Sequence, residues 1–409
     1  MRILFMHNNF PGQYRRIANY LKKNSNHEMA VATLETNKQQ YNLPKVTYAP
    51  HREARKDTHP ALIATERATI MGQAAYQALT KLKKTGNAPD IILAHSGWGG
   101  SMFLKDVFPD AKLLSYFEWY YYGRNSDSSF ISGQEPDPNN QLRIRMKNTP
   151  ILQDLAAMDW GQCPTAFQHS KLPKIFQKNV SVLHDGVDTE FFVPDDTAKL
   201  TINENVTLSA DDEVITYVAR GMEEYRGFPQ FMEVVSELQK KRPRLHVVIL
   251  GNDRVAYGAQ RKDGKSFKEW ALETFEFDHS RLHFMGLQPL GVFKRLMQIS
   301  SAHVYLTAPF VLSWSMLEAM SAGALIVGSD TEPVKELISD GENGILVPFF
   351  DTAKIISQLD QILNEPQNYK IMRQKARETI LERYSIRDLL PKYQQLIENV
   401  ANGTQNSEN

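Results

Sequence analysis

The most constraining feature of this chain is an alternation kept along almost its whole length. Short apolar runs are each followed by a helix-length amphipathic segment. Parallel strands joined by crossover helices produce this pattern, because strands covered on both faces read as continuous apolar runs. In the first half the runs Arg2–His7, Glu28–Leu34, Asp90–His95, Lys112–Phe117, Trp160–Cys163 and Val180–Leu183 read as strands. Helices fit at Gln13–Lys23, Ala61–Lys84, Gly100–Val107 and Thr165–Phe176. The segment 123–140, rich in Ser, Asp, Asn, Gly and Pro, reads as a long loop. After a polar stretch, Asp195–Asp212, a second series begins, with strands at Glu213–Val218, Leu245–Leu250, Leu282–Phe284, His303–Leu306, Leu325–Gly328 and Gly344–Val347. The end, from Thr352 to Ala401, is helical by pattern with a break near Ser385. The last residues, NGTQNSEN, are expected to lack order.

With 409 residues the chain exceeds one ordinary core and suits two. The fold class expected is α/β, with two Rossmann-like, doubly wound domains facing across a cleft. They would span 1–190 and 191–385, with a C-terminal helix at about 386–401 packing back on the first. In such sheets ligands bind beyond the carboxyl ends of the strands.

Lys plus Arg total 47, as do Asp plus Glu, so no net charge favours a polyanion and nucleic acid is excluded as the expected partner. The single cysteine, Cys163, cannot form an intrachain disulfide, and no Cys/His spacing suits zinc. No metal is therefore expected. The opening run turns polar after six residues, which reads as a first strand and not a secretory leader. No apolar run is long enough to cross a bilayer. A cytoplasmic protein is expected, with a peripheral contact at the inner membrane face left open.

Two segments carry candidate chemistry. In Val218–Gly227 a strand ends at a glycine turn, and Arg220 and Arg226 lie six residues apart before a helix. Two permanently charged guanidinium groups there suit a diphosphate, although surface ion pairs explain such residues equally well. In Pro309–Gly323 an apolar strand runs through Leu312 into a helix start at Ser313, Trp314 and Ser315. Free amides at such a start suit phosphate oxygens, and Glu318, one turn on, suits a ribose.

In combination these segments resemble the large retaining glycosyltransferase family of the GT-B fold (family four, group one) that contains many bacterial lipopolysaccharide, capsule and exopolysaccharide enzymes. The matching blocks run in order: His184-Asp-Gly186-Val-Asp188, Arg220 with Arg226, Ile249-Leu-Gly251-Asn, Phe284-Met-Gly286-Leu287, Glu318-Ala-Met-Ser-Ala-Gly323, Ser329-Asp330, and Gly341–Pro348. The resemblance implies transfer of a sugar, with retention, from a nucleotide diphosphate sugar to a glycan or glycoconjugate hydroxyl, with no cofactor besides that co-substrate. It places Arg220 and Arg226 on the diphosphate, Glu318 on the ribose and Leu287 near the base. In the first half, His7-Asn-Asn-Phe-Pro-Gly12-Gln13 resembles the family's loop after the first strand, which puts Gly12 and Gln13 beside the donor or acceptor. His95 ends a strand and is a further candidate for the cleft wall.

The sequence departs from the family twice. The position eight before Glu318 is Phe310, where the family commonly has a Glu near the donor sugar. Glu118 stands where many members carry a His. Neighbouring aromatics, Trp119 to Tyr122, read first as packing, with an acceptor platform or membrane contact as alternatives. Two other readings stay open: an epimerase-type hydrolase on the same fold, which would bind the same donor without an acceptor, and a non-catalytic sugar-nucleotide-binding subunit, which the loss at Phe310 motivates.

Overall fold

The chain carries two parallel sheets, each first strand lying inside its sheet and not at an edge. A computed structural model describes residues 1–404. Positions 405–409, part of the tail expected to lack order, lie outside the described residues.

The first unit gathers 1–129, 134–186 and the chain from 386 onward. Its strands are β1 (Arg2–Met6), β2 (Glu28–Leu34), β3 (Lys45–Tyr48), β4 (Ile91–His95), β5 (Lys112–Tyr116), β6 (Trp160–Cys163) and β7 (Val180–Val182). All pair in parallel in the order β3-β2-β1-β4-β5-β6-β7. The order reverses between β1 and β4, which leaves a crevice at their carboxyl ends. Side chains alternate between two cores, as the period of a strand demands. Ile3, Phe5, Ile91 and Leu93 pack on one side with Ile17 and Leu21. Leu4, Met6, Ile92 and Ala94 pack on the other with Ala75 and Leu79. The C-terminal helix Ile386–Asn402 adds Leu390, Tyr393, Ile397 and Val400 to the first of these cores. Each such buried aliphatic contributes about 1.5–3 kcal/mol.

The second unit, 187–385 with 130–133, begins with an antiparallel hairpin, β8 (Lys199–Asn203) and β9 (Val206–Ser209). Its sheet comprises β10 (Val214–Gly221), β11 (His246–Asn252), β12 (Leu282–Gly286), β13 (Ala302–Tyr305), β14 (Ile326–Ser329) and β15 (Ile345–Val347). The order β12-β11-β10-β13-β14-β15 reverses between β10 and β13. Ile215 and Tyr217 face one core, Val214 and Val218 the other.

Several local expectations need correction. The stretch 123–140 is not one loop: it holds a short helix Asp127–Ser132 and the start of another, Pro138–Met146. The second starts where the Asp137 side chain accepts from the Asn140 amide and Pro138 supplies a preset φ. It buries no residue, so it had no periodicity to show. The polar stretch 195–212 contains the hairpin, which buries Leu200 and Leu208 and packs Ile202 and Val206 partly against the same core. The helix expected over 100–107 is regular only at Leu104–Val107, because Gly97 and Gly99 turn the preceding chain with φ of 95° and 88°. The break expected near Ser385 is present, between helices ending at Arg383 and starting at Ile386, but Pro366 opens a 3-10 turn that adds an earlier interruption.

Candidate functional site

The chemically distinctive side chains cluster where each sheet reverses its order. In the first unit His7 follows β1 and His95 ends β4, so adjacent strands deliver two imidazoles to one point, with ring centroids 5.0 Å apart. Hydrogen bonds fix both tautomers. The Asn9 amide donates to His7 Nδ1 at 3.0 Å, so the His7 proton sits on Nε2 and is donated to Gln13 Oε1 at 2.8 Å. That orients the Gln13 amide, whose Nε2 donates to Glu118 Oε1 at 3.1 Å. His95 Nδ1 donates to the Ser96 carbonyl at 2.9 Å, which turns Nε2 toward Glu118 Oε2 at 3.8 Å. Burial is the main reason both rings resist protonation. The pKa of His7 falls to about 3, helped by His95, and that of His95 to about 4.

Gly12 is required by this arrangement. Its φ is 45°, and a Cβ there would lie 2.3 Å from His7 Cε1. Trp98 stacks on His95 with centroids 4.5 Å apart. The turn carrying Trp98 is held by Asp154, whose Oδ2 accepts from Ser96 Oγ (2.6 Å), Ser101 Oγ (2.8 Å) and the Gly97 amide (3.3 Å). A recess of about 50 Å³ opens between His95, Trp98, Glu118, Trp119 and Tyr121. The structure thus joins Gly12, Gln13, His95 and Glu118 into one cluster. Sequence reasoning named His7 only as the start of a loop block, with no role of its own, and missed Asp154. His7 could have been singled out as the polar residue ending the apolar β1, but Asp154 lies in a helix, Thr149–Ala157, that was not recognised.

In the second unit Arg220 lies at the carboxyl end of β10, exposed, with no ion pair or side-chain hydrogen bond among the described residues. Arg226 differs sharply, being only 5% exposed. Gly227, at φ 61°, allows this close approach, since a Cβ there would meet Leu306 Cβ at 2.5 Å. Arg226 Nη1 donates to Thr307 Oγ1 at 2.6 Å, and Nη2 to the Val311 carbonyl at 3.0 Å. Its Cζ lies 5.1 Å from the Tyr257 ring centroid. Burial works against its charge, but Tyr305, Tyr257 and Tyr217 outweigh burial and raise its pKa. No carboxylate among the described residues lies within ion-pair distance of it.

The helix Trp314–Ser321 starts beside this cation. The Ser313 amide, read from sequence as open to a ligand, is spent: it donates to Tyr305 OH at 2.7 Å. The Ser313 side chain caps the Ser315 amide and contacts the Ser315 hydroxyl at 2.9 Å. Leu312 is buried in the core, Trp314 and Ser315 are half-buried, and Glu318 is 7% exposed. Leu287 stands apart, 70% exposed beyond the edge strand β12. Phe310 packs against Tyr257 and Tyr225, with centroids at 5.2 and 5.6 Å.

Residues 25–192 match the family described as "Glycosyl transferase family 4 group", and residues 199–379 match "Glycosyl transferases group 1". The chain belongs to this glycosyltransferase family. It is 20% identical over 286 residues to N-acetyl-alpha-D-glucosaminyl L-malate synthase of Bacillus anthracis, covering 68% of this chain and 66% of that one. The curated relatives are matched over 48% and 66% of their length. Among solved structures, sucrose-phosphate synthase from Thermosynechococcus elongatus superposes with a TM-score of 0.75 at 14% identity, covering 98% of this chain and all of that one. Anabaena HepE, solved with UDP and glucose, gives 0.69 at 14% identity over the same shares. These likenesses establish the GT-B fold. No helix among the described residues is long and apolar enough to cross a membrane.

Proposed function

We propose that this protein transfers a sugar, with retention of anomeric configuration, from a nucleotide diphosphate sugar to a hydroxyl of a glycan or glycoconjugate. One observation carries this reading. Among the described residues Arg226 is a buried cation with no carboxylate at ion-pair distance, at the switch point of its sheet and six residues from Arg220, which has no ion pair there either. A desolvated charge is costly unless an opposite charge meets it, and a diphosphate is the anion that two guanidinium groups suit. Three contacts use part of the Arg226 donor set, which leaves N–H groups for phosphate oxygens. The anion that matters most is the leaving group: charge accumulates on the diphosphate as the glycosidic bond breaks, and fixed cations stabilise it there. Glu318 would hold the ribose. The retaining course and a hexosyl donor follow from the family resemblance, and the glucose and UDP named with the HepE structure make UDP-glucose a first donor to try.

In the first unit, Gln13 and Glu118 would receive sugar hydroxyls, with His95 and Trp98 as the wall behind them. The same two arginines do the work a divalent ion does elsewhere, so turnover should survive exhaustive chelation. The direct test is a thermal-shift panel of nucleotide sugars, followed by transfer to simple glycosides with NMR assignment of the product anomer. If no nucleoside diphosphate raises the melting temperature, the reading fails. If donor is consumed equally without acceptor, the protein is a hydrolase instead.

A further inference from the structure

Glu223 has no part in the reading above, yet it is fully buried and makes an unusual set of contacts. Three consecutive amides converge on its carboxylate. Ala256 N donates to Oε1 at 3.1 Å, Tyr257 N reaches Oε1 at 3.2 Å and Oε2 at 3.0 Å, and Gly258 N donates to Oε2 at 2.7 Å. These amides belong to the loop after β11. Gly221 gives that loop room, since a Cβ at 221 would come within 2.6 Å of the Arg254 carbonyl. The carboxylate precedes Arg226 by three residues on the same turn, so one turn carries both the cation and the clasp for the loop. What the clasp delivers is Tyr257, whose ring covers the Arg226 guanidinium and abuts Phe310.

We infer that Glu223 is a positioning residue for the diphosphate site: by gathering the 256–258 amides it seats Tyr257 over one face of Arg226, leaving the guanidinium edge to the phosphate. The inference rests on the diphosphate reading of Arg226. A carboxylate suits the role because both its oxygens accept, whereas a glutamine would turn one of those positions into a donor facing a donor. An aromatic face holds a guanidinium without neutralising it, so orientation is fixed while the charge stays available.

Inorganic pyrophosphate is the probe, because it presents a diphosphate without assuming a base or sugar. Tyr257→Leu is expected to weaken its binding about 5- to 20-fold and Tyr257→Phe less than about 2-fold. The melting temperature should hardly move in either, the ring being 38% exposed. Glu223→Gln should reproduce the Tyr257→Leu loss, and the double variant should lose no more than the worse single one. In the wild-type chain the 256–258 amides should exchange slowly with solvent, a readout that stands even if Glu223→Gln does not fold. Additive losses, normal binding by Tyr257→Leu, or fast exchange at those three amides would overturn the inference. Arg226→Lys separates the two layers. If it also binds pyrophosphate normally, the diphosphate reading has failed. If it binds poorly while Tyr257→Leu binds normally, only the positioning role has failed.

Discussion

Gln13 and Glu118 lie 105 positions apart in the chain and 3.1 Å apart in the fold, the amide of one donating to the carboxylate of the other. The order runs back to His7, whose own tautomer is set by a backbone amide. Glu118 therefore presents a carboxylate with one oxygen occupied and the other toward His95. Glu118→Gln fits this frame, its oxygen accepting from Gln13 and its amide turning toward His95 Nε2. The substitution removes charge and little else. A fall in kcat of more than about 100-fold at unchanged nucleoside diphosphate affinity is expected, the pattern of a group that acts on the sugar in the transition state. Near-normal kcat with a melting temperature several degrees lower would make Glu118 structural.

Gly12→Ala is expected to damage the same cluster from the other side. The new methyl group would collide with the His7 ring, and alanine at φ 45° adds about 1 kcal/mol of backbone strain. His7 must move, and the bond to Gln13 goes with it. Removing the ring should relieve the collision, so His7→Ala/Gly12→Ala should melt higher than Gly12→Ala alone. Equal or lower stability in the double variant would show that backbone conformation, not the imidazole, demands glycine.

The parts of this picture legible in the sequence were those with a period or a spacing. Both sheets could be read because their central strands are apolar on both faces, as Ile91–His95 shows. The Arg220–Arg226 spacing beside a strand end located the second cluster. The helix Pro138–Met146 stayed hidden because it buries nothing, and the hairpin because its alternation, Leu200 and Ile202 then Val206 and Leu208, spans strands of only four and five residues in a polar stretch. Partnerships were out of reach for a different reason. That Ser313 spends its amide on Tyr305, or that Glu223 gathers a loop some thirty residues away, follows from the crossing of chain segments, which no local pattern encodes.

The contrast between Arg220 and Arg226 separates function from stability. Arg220 is exposed and makes no ion pair or side-chain hydrogen bond among the described residues, so Arg220→Ala should reduce kcat/KM about 10- to 100-fold, the loss of one charge-assisted contact to phosphate, without moving the melting temperature. Arg226→Ala should lose at least as much activity and also melt lower, because Thr307 Oγ1 and the Val311 carbonyl lose their donor in a buried setting. Activity within a factor of two of wild type in Arg220→Ala would remove it from the donor site. An unchanged melting temperature in Arg226→Ala would contradict its buried contacts.

Acid should destabilise the protein before its exposed carboxylates titrate. Burial is the leading cause in four histidines whose pKa values are pushed down from 6.5: His7 and His184 to about 3, His95 and His303 to about 4. Below pH 6.5 the unfolded chain takes up protons that the folded chain refuses. Each such histidine then lowers stability by up to about 1.4 kcal/mol per pH unit, and continues to do so until pH reaches its folded value. Asp154 acts in the opposite sense. Burial first, only partly offset by its serine hydroxyls, raises its pKa from 3.8 to about 6. Between those values the folded state binds the extra proton, so acidification gains stability there and offsets roughly one histidine. The melting temperature of the ligand-free protein should therefore fall steadily from pH 7 to pH 4.5. Asp154→Asn keeps an acceptor for Ser96 and Ser101 but removes the opposing proton, so its fall over the same range should be steeper. A melting temperature that holds level to pH 4.5, or an Asp154→Asn profile parallel to wild type, would mean that these groups are not titrating as their burial dictates.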